Sequence, residues 1–198
     1  DSPFSKGFPG WHIECSAMST EYLGEQFDIH TGGIDHIPVH HTNEIAQTEA
    51  ATGKKPWVKY WLHNDFIVVD KEKMSKSKGG FFVLSDLEEK GYDALAYRYL
   101  CLTAIYRKQL HFSMEAMDSA KASLDKLRDR VQLLLQNKGD GEGEASKYVE
   151  EFQVAINDDL NTPKALAVIW DMLKDANVSD VEKYETLLEF DRVLGLGL

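Results

Sequence analysis

Three side chains in the first quarter of the chain have the types and spacing of metal ligands. Cys15, His40 and Glu44 offer a thiolate, an imidazole and a carboxylate, which suit Zn²⁺ once a fourth ligand is added. His40 and Glu44 are four residues apart, so on a helix they share one face. The alternative interpretation is a buried free cysteine and a surface His–Glu pair. Spacing alone leaves both interpretations open.

A glycine turn follows the first strand-like run of the sequence. Gly32 and Gly33 would let a ligand approach the backbone closely, and Asp35 lies where a carboxylate could meet ribose hydroxyls. The same residues also make a good ordinary turn. A nucleotide site and a simple turn are therefore both possible here.

A lysine-rich segment of the chain has the composition of a polyphosphate-binding loop. It reads Lys73-Met74-Ser75-Lys76-Ser77, so its two lysines lie three residues apart with a serine hydroxyl between them. Ammonium and hydroxyl groups donate hydrogen bonds to phosphate oxygens without rigid geometry. A solvated basic surface loop is the alternative, because runs of charge are often no more than that.

The elements that must position these residues change in kind along the chain. Residues 27–30 and 61–69 have the composition of strands, and a helix is predicted over 38–51, an order typical of a parallel sheet. Further along, apolar residues recur at helical spacing, in Met117, Ala120, Leu124, Leu127, Val131 and Leu134. The predicted fold class is α/β followed by all-α.

Three helix starts are predicted from local residue patterns. Ser85 and Ser179 each begin a capping box, and Thr162 is predicted to cap a helix whose first residue is Pro163. A further helix is predicted over 93–106.

Composition narrows the class of protein. The net charge is 22 − 33 = −11, which argues against holding nucleic acid by bulk electrostatics. Two cysteines provide no disulfide framework, which favours a reducing, cytoplasmic location. We expect no membrane span, because no apolar run approaches about 20 residues. The first residue is Asp1 and no signal peptide follows, so we expect the chain to begin within a longer protein.

The motifs taken together resemble one family. The segment 73–77 is similar to the second signature of class I aminoacyl-tRNA synthetases. The chain resembles the cysteinyl-tRNA synthetases of that class in segments that follow in order: 9–18, 27–35, 40–47, 60–63, 106–110 and 158–166. The resemblance implies the second half of a Rossmann-type nucleotide-binding parallel sheet, followed by a helical bundle.

The resemblance implies a zinc site. One zinc ion in that family is held by two cysteines, a histidine and a glutamate, which correspond here to Cys15, His40 and Glu44 plus a cysteine upstream, outside this chain. Cys101 is not that ligand, because we predict it to lie in a helix among core residues.

The resemblance also assigns substrate residues. Trp11 and His30 would bind L-cysteine, and Asp35 would meet either the ribose or the substrate ammonium. Lys76, assisted by Lys73 and with Mg²⁺ on pyrophosphate, would stabilise charge on the phosphates during catalysis. The ATP-binding set implied is Gly32, Gly33, Asp35, His63 and Lys76.

The function implied is cysteine–tRNA ligation. ATP would activate L-cysteine to cysteinyl-adenylate, and the cysteinyl group would pass to the 3′ end of tRNA(Cys), with the protein acting as a monomer. One alternative is the paralogous cysteine ligase of mycothiol biosynthesis, which shares the catalytic domain but acylates an amino sugar. The other is a non-catalytic zinc-binding or RNA-binding module.

Three domains are predicted from these assignments. Residues 1–70 would form the second half of the catalytic domain with the zinc site. Residues 71–112 would hold the lysine-rich loop and a helical segment like those that contact the tRNA stem. Residues 113–198 would form an incomplete helical bundle of the tRNA-binding type.

Overall fold

The computed structural model describes residues 3, 5–69, 83–136 and 143–198, together with the backbone of 72–73. The chain divides into two compact units, Asp1–Phe66 and Ile67–Leu198. This division falls near the first predicted domain boundary. The three-domain scheme itself stays a prediction.

The first unit is built on a pair of parallel strands. Strand β1 (Phe27–Gly33) pairs with β2 (Val58–Asn64) so that Phe27 lies opposite Val58 and Gly33 lies opposite Asn64. A 3₁₀ turn and a π-helical turn lead from β1 into α2 (Thr42–Thr52), which returns the chain to β2. The predicted strand–helix–strand order is thus confirmed. The elements are α1 (His12–Leu23), β1 (Phe27–Gly33), α2 (Thr42–Thr52) and β2 (Val58–Asn64).

The strand predicted over 61–69 is wrong, because two strands of different sheets replace it. Strand β2 ends at Asn64, and β3 (Ile67–Val69) belongs to the second unit. The Asp65 carboxylate accepts a hydrogen bond from the Phe66 N–H at 2.7 Å. Such a local side-chain bond to the backbone competes with continued strand pairing.

The second unit combines a small sheet with a bundle of helices. Strand β3 pairs antiparallel with β4 (Glu72–Lys73) and parallel with β5 (Leu110–Phe112), so the order is β4-β3-β5. The change from α/β to helical structure agrees with the predicted fold class. The helices are α3 (Leu84–Glu89), α4 (Ala94–Leu102), α5 (Met114–Gln136), α6 (Ser146–Asn157), α7 (Thr162–Lys174) and α8 (Asp180–Leu194).

The hydrophobic core of the second unit is organised around α5. All six apolar residues predicted to line one face of this helix are buried. Five of them, all except Leu134, belong to one cluster with apolar side chains of α4, α6, α7 and α8. Within that cluster the rings of Phe152 and Phe190 stack with their centroids 4.0 Å apart.

Two of the predicted helix caps shift by one or two residues, and the third is confirmed. Helix α3 begins at Leu84 and not after Ser85, because the Asp86 carboxylate accepts a hydrogen bond from the Val83 N–H at 2.8 Å. Asn161 caps α7 in place of Thr162, and its Oδ1 accepts from the Lys164 N–H at 3.3 Å. Ser179 caps α8 as predicted, accepting from the Glu182 N–H at 3.2 Å.

Helix α4 also differs from its prediction. It ends at Leu102 with Thr103 as its C-cap, short of the predicted residue 106. Cys101 lies in this helix as expected, but its side chain is exposed and does not pack in the core. Among the described residues, no helix is both long enough and apolar enough to cross a membrane.

Candidate metal centre and nucleotide site

A buried carboxylate lies at the centre of the first unit. Glu44, in the first turn of α2, is fully buried. Its Oε2 accepts a hydrogen bond from His30 Nε2 on β1 at 2.6 Å. His40 Nε2 lies 2.9 Å from Oε1 in an orientation that makes no hydrogen bond. Helix α1 adds Cys15, and the ligand atoms of Cys15, His40 and Glu44 all lie within 4.8 Å of one another.

The environment of these three side chains fits a cation. Glu44 Oε1 is buried and has no hydrogen-bond partner in the part of the chain that the structure describes. A buried carboxylate oxygen without a partner is costly, and a metal ion would satisfy it. Burial and the nearby Glu44 carboxylate raise the pKa of the Cys15 thiol. A bound cation would reverse that effect by stabilising the thiolate. The structure therefore brings together the three residues that were predicted to be ligands.

Gln47 holds α1 against α2, and sequence reasoning missed it. Its side-chain nitrogen donates to the His12 carbonyl at 2.7 Å and also to the Ser16 hydroxyl. Its side-chain oxygen lies 2.9 Å from His12 Nδ1. Because Cys15 lies next to Ser16, this amide fixes the part of α1 that carries the thiol. The sequence contains one signal for it: Gln47 follows Glu44 by three residues, and this spacing places both side chains on the same face of a helix.

His41 is a second residue that the sequence did not assign. It is buried, and its Nδ1 lies 2.7 Å from His63 Nε2. Burial, together with the neighbouring His30 and His63, lowers the pKa of His41 to about 4, so its ring is neutral near pH 7. His30, His41 and Glu44 form a second group able to hold a metal ion, and it shares Glu44 with the first.

A π-helical turn contains the two consecutive histidines of this cluster, His40 and His41. It runs over Ile37–His41, directly before α2. Its wider turn differs from the α-helical spacing that the sequence analysis assumed, and such turns are frequent at functional sites.

The glycines at the end of β1 make room for the side chains of this cluster. Gly32 lies opposite His63 in the sheet, and a Cβ on Gly32 would come within 2.5 Å of His41 Cε1. A Cβ on Gly33 would come within 2.5 Å of Asp35 Oδ1. The group that lies close to the backbone at Gly32 in this structure is therefore the His41 ring.

The remaining predicted residues lie in different settings. His30 and His63 both contact His41, and we refer to these three residues as the histidine cluster. Asp35 lies in the 3₁₀ turn that follows β1. Trp11 immediately precedes α1 and is 78% exposed. Lys76 and the Lys73 side chain lie outside the described residues, so their assigned roles stay predictions.

The first unit has a pair of parallel strands with a cluster of candidate ligands, and the second unit adds a bundle of helices. This is the fold of a class I tRNA synthetase. The structure resembles that of the agnB2 LeuRS of Agrobacterium radiobacter K84, solved in a ternary complex with tRNA and LeuAMS. The TM-score is 0.63 at 16% identity, over 85% of this chain and 26% of that one. This likeness concerns the fold alone.

Sequence comparison identifies the family within that class. The model of the tRNA synthetases class I (C) catalytic domain matches residues 1–122, and that of the DALR domain matches residues 151–198. The chain therefore belongs to the class I (C) tRNA synthetase family, and its resemblance to the cysteinyl-tRNA synthetases is confirmed.

The curated relatives are cysteine–tRNA ligases. The cysteine–tRNA ligase of Treponema denticola is 48% identical over 100% of this chain and 44% of its own length. Cysteine–tRNA ligase 1 of Burkholderia lata is 51% identical over 100% of this chain and 41% of its own length. The chain thus spans less than half the length of these relatives.

Proposed function

We propose that this chain is part of a cysteine–tRNA ligase. Such an enzyme uses ATP to activate L-cysteine as cysteinyl-adenylate and transfers the cysteinyl group to the 3′ end of tRNA(Cys). The observation that carries the proposal is the cluster of Cys15 and His40 around the buried Glu44 carboxylate, whose Oε1 has no hydrogen bond within the described part of the chain. Within a class I synthetase unit whose relatives are cysteine–tRNA ligases, this cluster favours recognition of a thiol.

Zinc is the metal that suits the cluster. Cys15, His40 and Glu44 would hold it with a fourth protein ligand from outside this chain. When bound, zinc would act as a Lewis acid for the thiolate of the substrate cysteine. Serine would be discriminated against, because its hydroxyl is a poorer zinc ligand than a thiolate. His30 supports this site, because its hydrogen bond to Oε2 fixes the orientation of the Glu44 carboxylate.

The other site residues keep the roles that the resemblance implies. Trp11 and His30 would bind the cysteine substrate, and Asp35 would bind its ammonium or the ribose. Lys76 and Lys73, with Mg²⁺, would stabilise the phosphate charge as pyrophosphate leaves. The residues around ATP would be Gly32, Gly33, Asp35, His63 and Lys76.

The reaction implies its partners and its setting. ATP, L-cysteine and tRNA(Cys) would be the substrates, and we propose a monomer in the cytoplasm. The two alternatives, mycothiol biosynthesis and a non-catalytic module, are not favoured, because the curated relatives are cysteine–tRNA ligases across this whole chain. Charging of tRNA(Cys) separates the ligase from both alternatives.

Pyrophosphate exchange with ATP tests the proposal in the complete protein. We expect exchange with cysteine, none with serine, and a loss of both exchange and bound zinc in Glu44→Gln. Glu21→Gln is the matched control, because Glu21 is an exposed carboxylate on α1. Equal exchange with serine, or full activity and zinc content in Glu44→Gln, would contradict the proposal.

A further inference from the structure

Two segments that are far apart in the sequence meet through a charged contact in the second unit. Arg107 Nε lies 2.7 Å from Asp159 Oδ2, and its Nη2 donates to Asp159 Oδ1 at 3.0 Å. The Tyr106 hydroxyl donates to the same Oδ1 at 2.8 Å. We refer to Tyr106, Arg107 and Asp159 as the Arg107 clasp. A guanidinium that engages both carboxylate oxygens fixes orientation as well as distance.

One end of the Arg107 clasp is a strained turn between α6 and α7. Asp159 and Leu160 have φ angles of 53° and 56°, a left-handed conformation that residues other than glycine rarely adopt. Backbone bonds from Leu160 N to Ile156 O and from Asn161 N to Ala155 O, at 3.0 and 3.1 Å, close the turn. Strain of this kind persists only where the surroundings hold it.

The other end of the clasp leads directly into the sheet of the second unit. Arg107 precedes the first residue of β5 by three positions. Strand β5 pairs with β3, placing His111 opposite Val68, and Val68 in turn lies opposite Lys73 of β4. Lys73 is the first lysine of the segment predicted to bind phosphates. The strained turn is therefore connected to β4 through two successive strand pairings.

The geometry argues against an anion-binding role for Arg107. Its Nε and Nη2 already engage the Asp159 carboxylate, so this edge of the guanidinium is not free for a phosphate. The contact also lowers the pKa of Asp159, since the Tyr106 hydroxyl and the guanidinium donate to its charged form. A contact satisfied in this way is suited to holding two segments together.

We propose that the Arg107 clasp is a positioning device for β4, acting through β5 and β3, and that the rate of cysteine activation depends on it. This inference rests on the proposed function, since it assigns Lys73 to the reaction. Tyr106, Arg107 and Asp159 are positioning residues and not catalytic ones.

Amide hydrogen exchange tests the mechanical part without any activity. In Asp159→Asn we expect the amides of β3 and β5 to exchange about tenfold faster, because the strands lose their anchor. Asp175→Asn is a matched control, since Asp175 likewise accepts from an adjacent lysine and tyrosine, Lys147 and Tyr148, at 2.9 and 2.8 Å. We expect that control to accelerate the exchange of β3 and β5 much less than Asp159→Asn does, because its contacts hold a different turn of the second unit.

Kinetics of the complete protein test the functional part. In Asp159→Asn we expect kcat for ATP–pyrophosphate exchange to fall about tenfold or more, with KM for cysteine within about twofold. Arg107→Lys keeps the charge but not the planar fork, so we expect an intermediate kcat. Asp175→Asn should keep the kcat of the unsubstituted protein.

The possible outcomes separate this inference from the proposed function. If the amides of β3 and β5 exchange at an unchanged rate in Asp159→Asn, the inference about the clasp is overturned. Faster amide exchange with an unaltered kcat would also overturn it. If the unsubstituted protein activates no cysteine, the proposed function fails while the exchange data still decide whether the clasp anchors the sheet. If Asp159→Asn does not fold, Tyr106→Phe takes its place, because it removes only a hydroxyl. The same two criteria, amide exchange and kcat, then apply to Tyr106→Phe.

Discussion

At the level of single residues, the cluster around Glu44 depends on neighbours that are not proposed as ligands. His41 occupies the space that a side chain at Gly32 would need, and Gln47 joins α1 to α2 by hydrogen bonds to His12 and Ser16. Each contact can be removed by a substitution that leaves Cys15, His40 and Glu44 in the chain. Their effects would report how strongly ligand geometry depends on this support.

Gly32→Ala should disturb the histidine cluster. The new Cβ would meet His41 Cε1 at 2.5 Å, forcing the ring away from its 2.7 Å contact with His63. We expect a loss of about 1–3 kcal/mol in the free energy of unfolding, as is usual for overpacking. Thermal unfolding measures it, with Gly7→Ala as control because nothing lies within 4 Å of a Cβ there. Equal stability of the two variants would show that the ring moves without cost.

Gln47→Leu should weaken metal binding without removing a ligand. The substitution deletes the hydrogen bonds to His12 and Ser16 and frees the part of α1 that carries Cys15. We expect zinc affinity to fall about 10- to 100-fold, the usual effect of losing a group that orients a ligand. Competition with a chelator measures the affinity.

The matched control for this change is Gln26→Leu, since the Gln26 amide donates to the Pro56 carbonyl. Its zinc affinity should equal that of the unsubstituted chain. If both variants bind zinc equally well, the hydrogen bonds of Gln47 do not position the thiol.

At the level of elements, α5 and the turn between α7 and α8 support the second unit in different ways. The buried face of α5 contributes by apolar packing, which is insensitive to pH. The turn is held by charged hydrogen bonds to Asp175, which depend on the ionisation of that carboxylate. Each mechanism has its own test.

Leu124→Ala should destabilise the bundle strongly. Leu124 is fully buried in α5, so the shorter side chain leaves a cavity in the core. We expect a loss of about 2–5 kcal/mol in the free energy of unfolding, measured by denaturant titration. Leu133→Ala, at a position of the same helix that is 48% exposed, should cost less than about 1 kcal/mol. Equal losses would mean that α5 does not pack through the face described.

The contribution of Asp175 to the stability of the folded state should decrease in acid. Hydrogen bonds from Lys147, the Asn177 N–H and Tyr148 hold the pKa of Asp175 well below its usual range. The folded state therefore binds protons less readily than the unfolded state. The stabilisation is complete above the unfolded pKa of about 4 and is lost progressively as the pH falls from there through the lower folded pKa. We expect Asp175→Asn to lower the Tm at pH 7 and to have a clearly smaller effect near pH 2. A Tm difference that does not depend on pH would contradict this.

At the level of the whole molecule, the two units differ in how much apolar surface they bury. Among the described residues of the first unit, the buried apolar side chains are Trp57 and Val58, whereas the second unit contains the large cluster around α5. Ile29 and Tyr60, opposite each other in the sheet, remain 58% and 65% exposed. Buried apolar area is the main source of stability, so the first unit should be the weaker one.

The 198-residue chain should therefore unfold in two steps on heating. Trp170→Phe removes the tryptophan of the second unit, so tryptophan fluorescence then reports the unfolding of the first unit. Far-ultraviolet circular dichroism reports the loss of helical structure. We expect the fluorescence change at the lower temperature, and we expect zinc to raise that transition alone, because a ligand stabilises the unit that binds it. Coincident transitions with and without zinc would show that the units unfold together.

The sequence by itself determined the order of the elements, and it predicted three residues whose side chains the structure brings together. The spacing of apolar residues predicted the buried face of α5, because helical periodicity is a local property. Strand-like runs on either side of a helix predicted the parallel pair, although the second strand ends at Asn64 and not at 69. Cys15, His40 and Glu44 were predicted as ligands through the resemblance to a family, and the structure brings their ligand atoms together.

The tertiary structure decided which residues support that site and how distant segments are held. His41 enters the cluster through a π-helical turn, and Gln47 contacts α1 across 31 and 35 residues of sequence. The Arg107 clasp joins positions 52 residues apart. Local periodicity and capping patterns describe neighbours along the chain. Contacts of this kind depend on how helices and strands pack, which no local pattern records.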